Sequence, residues 1–316
     1  MTESPAFPNV PDCPWHVVND DHPDVARVLR ARARAGELRR IAHGRYVPVE
    51  AWDGLRPEQR HHVLVRSLVD RIRPRFVVSH LSAAAVLGVP FLHPWPGRVH
   101  LIRPGEDART TSATCIVHAD LDPTMRGTWR FRSDDLRVTN SERTAVDLAM
   151  TLPFLDGVVA LDRLLRLGAD VQTIQDGIER RSPRGRRRAL RALAFADGAA
   201  DTPGESVARV RLDEYGAPPP VTQHRFRERG HPDIVVDLWL PDIGVAIEFD
   251  GEVKYRDRAL RAGAPPEDVV IAEKYREDRL RAFDEVRQVV RLSWGDLWSE
   301  TSFRGKLRRA QVPMRH

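Results

Sequence analysis

Glu248 and Asp250 stand two residues apart in "VAIEFDGEVKY", Val245 to Tyr255, a run that otherwise reads as a buried strand. The preceding "DIVVDLWL" reads as a second strand, and the turn "PDIG" between them sets a hairpin register pairing Leu238 with Ile247 and Asp237 with Glu248. Strict alternation then gathers Ile234, Val236, Leu238 and Leu240 with Val245, Ile247 and Phe249 on one apolar face. The other face carries Asp237 opposite Glu248, with Asp250 two residues further on. Like charges opposed in a ladder destabilise it by roughly 0.2–1 kcal/mol. A divalent cation offsets that cost: Mg2+ (or Mn2+) takes carboxylate and water oxygens and leaves positions for a phosphate oxygen and an attacking water. Asp237, Glu248 and Asp250 are thus candidate metal ligands and catalytic acids. The alternative is a hairpin with one solvated face whose acids pair with Lys or Arg from the next helix. That helix supplies Lys274, Arg276 and Arg279, cations able either to pair with the acids or to steady a phosphodiester in its transition state.

The elements that must position these acids follow from cap and periodicity signals. "PGESVARVRLDEYG" reads as a helix with Thr202 as N-cap, Pro203 in the first turn and Gly216 at its end. Glu205 on it is either a supporting acid or the second half of a capping box with Thr202. Strands follow at "VTQHRF", "DIVVDLWL" and "VAIEFD", then a helix around "DVVIAEKYREDRLRAFDE", the strand "VRQVVRLSW" and a last helix, an αβββαβ order. Upstream, the arginine block Arg180 to Arg188 and the loop-like "FADGAADTPG" mark a boundary, with the C-terminal domain at 199–316. The block reads as a solvated helix face or as a phosphate track.

Residues 1–20 are proline-rich and are expected to be irregular. Val25, Val28, Leu29 and Ala33 share one side of a helix that stops at Gly36, and "ELRRI", "AHG" and "RYVPV" read as a hairpin. Helix followed by wing makes 1–55 a winged-helix-like segment, a form in which a helix enters the major groove and a basic turn lies on the backbone. Residues 56–198 read as α+β: a helix from Gln59 to Arg71, "RFVVSH", the helix "LSAAAVLGVP", short strands at "RVHLIRP", "CIVHADL", "TWRFR" and "LRVTN", then helices. Thr139 and Glu142 are three apart, the spacing of a capping box.

Fifty Lys and Arg against 45 acids give +5, and the basic residues are overwhelmingly arginine, which grips phosphate bidentately. Nucleic acid is the partner such a balance suggests. The apolar stretches fall short of the ~20 residues of a membrane span, and the N-terminus lacks the pattern of a signal peptide, so a cytoplasmic location with no membrane partner is expected. Two cysteines are too few for a disulfide framework or a zinc site, so a metal is expected to be held by oxygen. Cys13 and Cys115 read as buried free thiols. A nucleophile elbow and a Gly-rich phosphate loop are both missing from the sequence, which leaves a small-molecule hydrolase little support.

Two resemblances follow from these segments. "TPGESVARVRL", "VVDLWLP", "IEFDG", "EKYREDRL" and "VVRLSWGDL", from about Thr202 to Trp298, resemble in order and spacing the PD-(D/E)XK nuclease superfamily, specifically its very-short-patch-repair-like endonuclease domain. This implies a restriction-endonuclease-like fold in which Asp237 and Glu248 bind metal and Glu205 supports them. The superfamily's lysine would fall at Asp250, and Lys254 stands where many relatives carry histidine; Lys254 either replaces the base and orients phosphate or is a surface lysine. "AGELRRIAHGRYV", "SHLSAAAVLGVP", "RVHLIRP" and "VTNSERTAVDLA", over about residues 20–165, are similar to the AbiEi-type antitoxin of type IV toxin-antitoxin systems, a winged-helix repressor with an appended domain. That likeness implies Arg34, Arg39, Arg40 and Arg45 as phosphate contacts and a nucleotidyltransferase-like toxin as a further partner. The expectation is a DNA-binding protein with a metal-dependent endonuclease domain; the alternative is a non-catalytic repressor or antitoxin.

Overall fold

The computed structural model describes residues 13–18, 23–68, 72, 75–122, 128–131, 136–228, 230–250 and 266–315. They form a mixed α/β protein with three sheets, and the chain separates into two units, Met1–Ala196 and Asp197–His316. The proline-rich residues 1–12 and Lys254 lie outside the described residues. Among the described residues no helix is long and apolar enough to cross a membrane.

The N-terminal unit begins with β1 (His16–Val17), α1 (Pro23–Arg34), β2 (Leu38–Ala42) and β3 (Arg45–Pro48) in an antiparallel sheet of order β1-β3-β2. Gly36 and Gly44, at φ +81° and +68°, make the turns on either side of β2 that a side chain would strain. The expected hairpin forms, and β1 adds a strand where irregular chain was expected. The expected helix face is rotated: Ala26 and Leu29 are buried, whereas Val25 and Val28 are 45% and 53% exposed. Leu29 packs instead with Leu38 and Tyr46 of the hairpin.

Next come α2 (Val49–Asp53), α3 (Pro57–Ser67), β4 (Val77–Val78), α4 (His80–Leu87), β5 (Val99–Ile102), β6 (Thr110–Thr111), β7 (Cys115–His118), β8 (Thr128–Phe131) and β9 (Leu136–Thr139). Helices α5 (Ser141–Thr151), α6 (Phe154–Arg166), α7 (Val171–Arg180) and α8 (Arg186–Phe195) complete the unit. The six strands lie in the order β6-β7-β5-β4-β9-β8. Their core joins Val78, Val99, Leu101, Leu136 and Val138 to Leu64, Leu68 and Val86. Gly88, at φ +67°, ends α4. Asn140, not Thr139, caps α5, its side chain accepting from Arg143 N–H at 3.0 Å; Thr139 instead pairs its hydroxyl with that of Thr144 at 2.8 Å. Cys13 is buried, but Cys115 is only half-buried.

"SERTAVDLA" builds a charged knot on α5. Arg143 Nε donates to both oxygens of buried Asp147 at 3.1 and 3.2 Å, while its terminal nitrogens reach Asp120 at 3.1 Å and the Asp122 carbonyl at 2.8 Å. Arg181 adds a bond to Asp147 at 2.6 Å. The arginine block is therefore not wholly solvated: Arg181 sits inside the unit, while Arg184, Arg187 and Arg188 are exposed. Burial opposes ionisation of Asp147, and the facing His80, Arg143 and Arg181 outweigh it, leaving its carboxyl below the ordinary range. Beside it four histidines are buried or half-buried, and burial is the main cause that lowers His61 and His80 to about 4 and His100 and His118 to about 3. The unfolded chain, with histidines near 6.5, takes up protons first as the pH falls. The stability these neutral rings contribute is thus fully present above ~6.5 and is lost progressively toward ~pH 4 and below. Thermal melts should show the N-terminal unit's midpoint dropping across that window, and a His118→Gln variant should show a shallower drop. A flat profile from pH ~7 to ~4 would contradict this account.

The C-terminal unit runs α9 (Pro203–Glu214), β10 (Val221–Phe226), β11 (Ile234–Leu240), β12 (Val245–Phe249), α10 (Pro266–Arg281), β13 (Gln288–Leu292), α11 (Trp294–Trp298) and α12 (Glu300–Arg309). The sheet order is β10-β11-β12-β13, antiparallel until β13 joins β12 in parallel. The "PDIG" register is as read from sequence: Leu238 pairs with Ile247, Trp239 with Ala246 and Leu240 with Val245. The apolar face is not continuous, however. Ile234 and Val236 cluster with Phe226, Trp239, Ala246, Leu280 and Val286, so the alternation reverses between Val236 and Trp239. Opposite that break, between the pairs Thr222–Leu238 and His224–Val236, Gln223 has φ +52°. A left-handed residue inside a strand is a local irregularity of the kind that re-aims a side chain.

Thr202 caps α9, accepting from Glu205 N–H at 3.4 Å. At Gly204 the helix start meets the ring of Phe249, with which a Cβ would overlap; that ring is also held edge-on by Trp294 at 5.0 Å. Gly204→Ala should destabilise the chain by about 1–3 kcal/mol. Chemical denaturation measures this directly, and an unchanged midpoint would show that the ring is free to move aside.

Candidate functional site

Glu205 reaches the centre of the C-terminal unit because it follows Thr202 by three residues, where a capping side chain turns back toward its own helix start. It is 0% exposed. Its Oε1 accepts from the Thr202 hydroxyl at 2.8 Å, and its Oε2 accepts from Asp201 N–H at 2.9 Å. Glu205 thus reaches back to its own helix start through Asp201 N–H and the Thr202 hydroxyl, and it also lies beside another acid. The link is Gln223, whose Nε2 donates to Glu205 Oε2 at 2.8 Å and to Asp237 Oδ1 at 3.3 Å. Asp237 Oδ2 accepts from Phe249 N–H at 2.8 Å, fastening β11 to the end of β12. Burial first, and the neighbouring Asp237 second, push Glu205 above the ordinary carboxyl range.

Glu248 and Asp250 are engaged differently. Arg276 of α10 donates to Glu248 Oε1 at 2.6 Å and to the Val235 carbonyl at 2.7 Å. Arg291 lies beside Glu248 in the parallel register of β12 and β13. Its guanidinium stands 3.7 Å from Glu248 Oε2, 3.4 Å from Asp250 Oδ2 and 2.8 Å from Glu277 Oε2. Asp237, Glu248 and Asp250 thus do not fit a single cation as a set: two face guanidinium groups, and the third faces an amide and a backbone N–H. Among the described residues no three His, Cys, Asp or Glu side chains are placed to hold a metal ion.

The cations named from sequence also divide. Lys274 is exposed on α10. Arg276 is tied inward as above, and Arg279 donates to Glu228 at 3.1 Å and to the Pro232 carbonyl at 3.0 Å. In the N-terminal unit Arg34 is exposed, Arg39 pairs with Asp53 at 3.4 Å, and Arg40 donates to the Ala42 carbonyl at 3.3 Å. Arg45 is 1% exposed. It cannot meet phosphate without leaving the core, which corrects the expectation of a contact there. The sequence reading missed Gln223 and Arg291. The parallel pairing of "VVRLSW" with "IEFDG" would have revealed Arg291, whereas nothing in "VTQHRF" signals a left-handed glutamine.

These features define a two-unit mixed α/β protein with a carboxyl pair bridged by an amide in one unit and a histidine and ion-pair cluster in the other. No family model matches the chain. Two relatives, the uncharacterized proteins MT2308 and Rv2248 of two Mycobacterium tuberculosis strains, CDC 1551 / Oshkosh and H37Rv, are each 28% identical over 205 residues, 64% of this chain and 73% of theirs. The crystal structure of the RV2827C protein from Mycobacterium tuberculosis is similar at a TM-score of 0.34 and 17% identity, covering 54% of this chain. The match spans 65% of that solved chain, slightly under two thirds.

The Gln223 bridge makes a prediction. An amide N–H donated to a carboxylate favours its charged form, so Gln223→Met should raise Glu205's proton affinity further. Carboxyl 13C titration of the folded chain reads this directly: Glu205 should titrate at higher pH in the variant. A shift to lower pH would mean that the amide does not bridge the two acids.

Proposed function

We propose that this protein is a DNA-binding regulator, repressor- or antitoxin-like, whose C-terminal unit uses an endonuclease-like αβββαβ frame as a binding module. The observation that carries this reading is the engagement of Glu248 by Arg276 and of Asp250 by Arg291, which neutralises the acids a hydrolase would need free. The helix and hairpin of α1, β2 and β3, with Arg34, Arg39 and Arg40 at the surface, supply a winged-helix-like element for the phosphate backbone. The antitoxin likeness adds a nucleotidyltransferase-like toxin as a partner class.

A second reading has its own support. Glu205 and Asp237 are a close carboxyl pair bridged by a neutral amide, with Asp237 raising Glu205. A Mg2+- or Mn2+-dependent endonuclease would use such acids, provided Glu248 and Asp250 left their arginines. One experiment separates the two: mobility shift on duplex DNA, with plasmid nicking in Mg2+, for wild type, Asp237→Ala and Glu248→Ala. The expected result is salt-dependent binding by all three without cleavage, with the salt slope falling by about 1 for each of Arg34, Arg39 and Arg40 replaced by Ala. Cleavage by wild type alone would decide for the endonuclease, and no binding even at low salt would sink both readings.

A further inference from the structure

Three imidazoles from three elements meet in the N-terminal unit: His80 at the start of α4, His100 in β5 and His118 at the end of β7. The parallel register sets His100 beside Ile116 and Ile102 beside His118, so the two histidines lie diagonally on one face of the sheet. His118 Nε2 and His100 Nδ1 are 3.2 Å apart. The ring of His80 lies flat on His118, centroids 3.7 Å apart, with its Nδ1 at 3.0 Å from the Ser79 hydroxyl and 3.8 Å from Asp147. His80 holds φ +50° in this position, a strained backbone of the sort that persists where the surroundings over-determine it. It therefore backs the pair and does not join it. His100 and His118 are both half-buried and so remain reachable from solvent.

We propose that His100 and His118 form a two-imidazole clamp for a borderline divalent transition ion such as Zn2+, Co2+ or Ni2+, with water or a ligand oxygen filling the remaining positions. Imidazole nitrogen selects ions of this class over Mg2+. Two nitrogens each ~2.1 Å from a tetrahedral ion stand about 3.4 Å apart, close to the observed gap, and since the nitrogens now aim at each other, each ring turns by about 35° to aim at the ion. The ring that now donates between the two nitrogens moves its proton to its other nitrogen, and no net proton leaves the protein. Both rings are uncharged at neutral pH, so no imidazolium proton has to be displaced, although the burial and the Arg109 charge that lower their proton affinity also weaken their hold on a cation. Behind the pair, Asp147 is already balanced by Arg143 and Arg181. Toward solvent, exposed Arg109 is the charge that faces both rings, and it opposes a cation. The donors are nitrogen, against the expectation of oxygen. They number two, in keeping with the lack of any three-donor group among the described residues. The clamp lies in the N-terminal unit and is independent of how the C-terminal acids are read.

The test is calorimetric titration of the chelator-treated full chain with Co2+, together with visible absorption of bound Co2+. A single equivalent should bind, weakened about tenfold or more in His100→Gln and in His118→Gln, unchanged in Asp237→Asn and tightened in Arg109→Gln. Circular dichroism confirms that each variant is folded. If a histidine variant fails to fold, the Arg109→Gln titration decides: tighter binding supports the clamp and unchanged affinity overturns it. No binding at submillimolar Co2+, or binding that survives both folded histidine variants, or binding lost in Asp237→Asn, overturns it as well.

Discussion

A carboxylate carried inside a fold must meet a positive group or keep its proton, and both units are arranged around that requirement. Asp147 meets two guanidiniums, and through Arg143 the same contact ties α5 to Asp120 and the Asp122 carbonyl after β7. Glu248 meets Arg276, which also holds the Val235 carbonyl, so a single side chain joins α10, β11 and β12. Glu205 meets a hydroxyl, a backbone N–H and an amide. Those dipoles favour its charged form, but burial first and Asp237 second outweigh them and raise its carboxyl above the ordinary range.

The two kinds of neutralisation have different consequences. Removing one partner of a buried ion pair strands the other charge, at a cost of about 3–5 kcal/mol, so Glu248 is committed to Arg276 for as long as the unit keeps this arrangement. A carboxyl held by dipoles can exchange a proton without any side chain moving. Glu205, beside Gln223 and Asp237, is a carboxyl of this second kind, one strand away from where the alternation of "VAIEFDG" places the acids.

That displacement shows what the sequence could convey. The hairpin register was legible because a short turn and period-two burial leave a single pairing that buries Leu238 against Ile247. The order of elements in the C-terminal unit was legible for the same reason, together with the cap at Thr202. The arrangement of the three acids was not, because it assumed unbroken alternation along β11, which reverses between Val236 and Trp239. An arginine of the next helix pairing with these acids was one of the readings open from sequence, and Arg276 takes Glu248 in that way; Arg291 comes from β13, and only the parallel pairing of β12 with β13 brings it there. The histidine cluster was invisible for a related reason: His80, His100 and His118 lie about twenty residues apart, and only the parallel pairing of β5 with β7 and the turn into α4 bring their rings together. On α1 the helical period was correct and the buried face was misplaced, since Val25 and Val28 have the same spacing as a core stripe yet lie outside it.

The same accounting changes what a net charge of +5 means. Arg45, Arg143 and Arg181 are buried, and Arg276 and Arg279 are bound to acids and carbonyls within their own unit. Arg276 cannot turn to a phosphate without leaving Glu248 and the Val235 carbonyl behind, and the three buried arginines cannot without leaving the interior of their unit. Arg39 differs: its pair with Asp53 has both side chains about half exposed, and such pairs contribute only about 0–1 kcal/mol, so a phosphate can replace the aspartate at almost no cost. An exposed ion pair is in this sense a reserve of binding charge and a buried one is not. Arg34 and Arg40, close to Arg39 in sequence, are likewise turned to solvent, as are Arg184, Arg187 and Arg188 beyond α7.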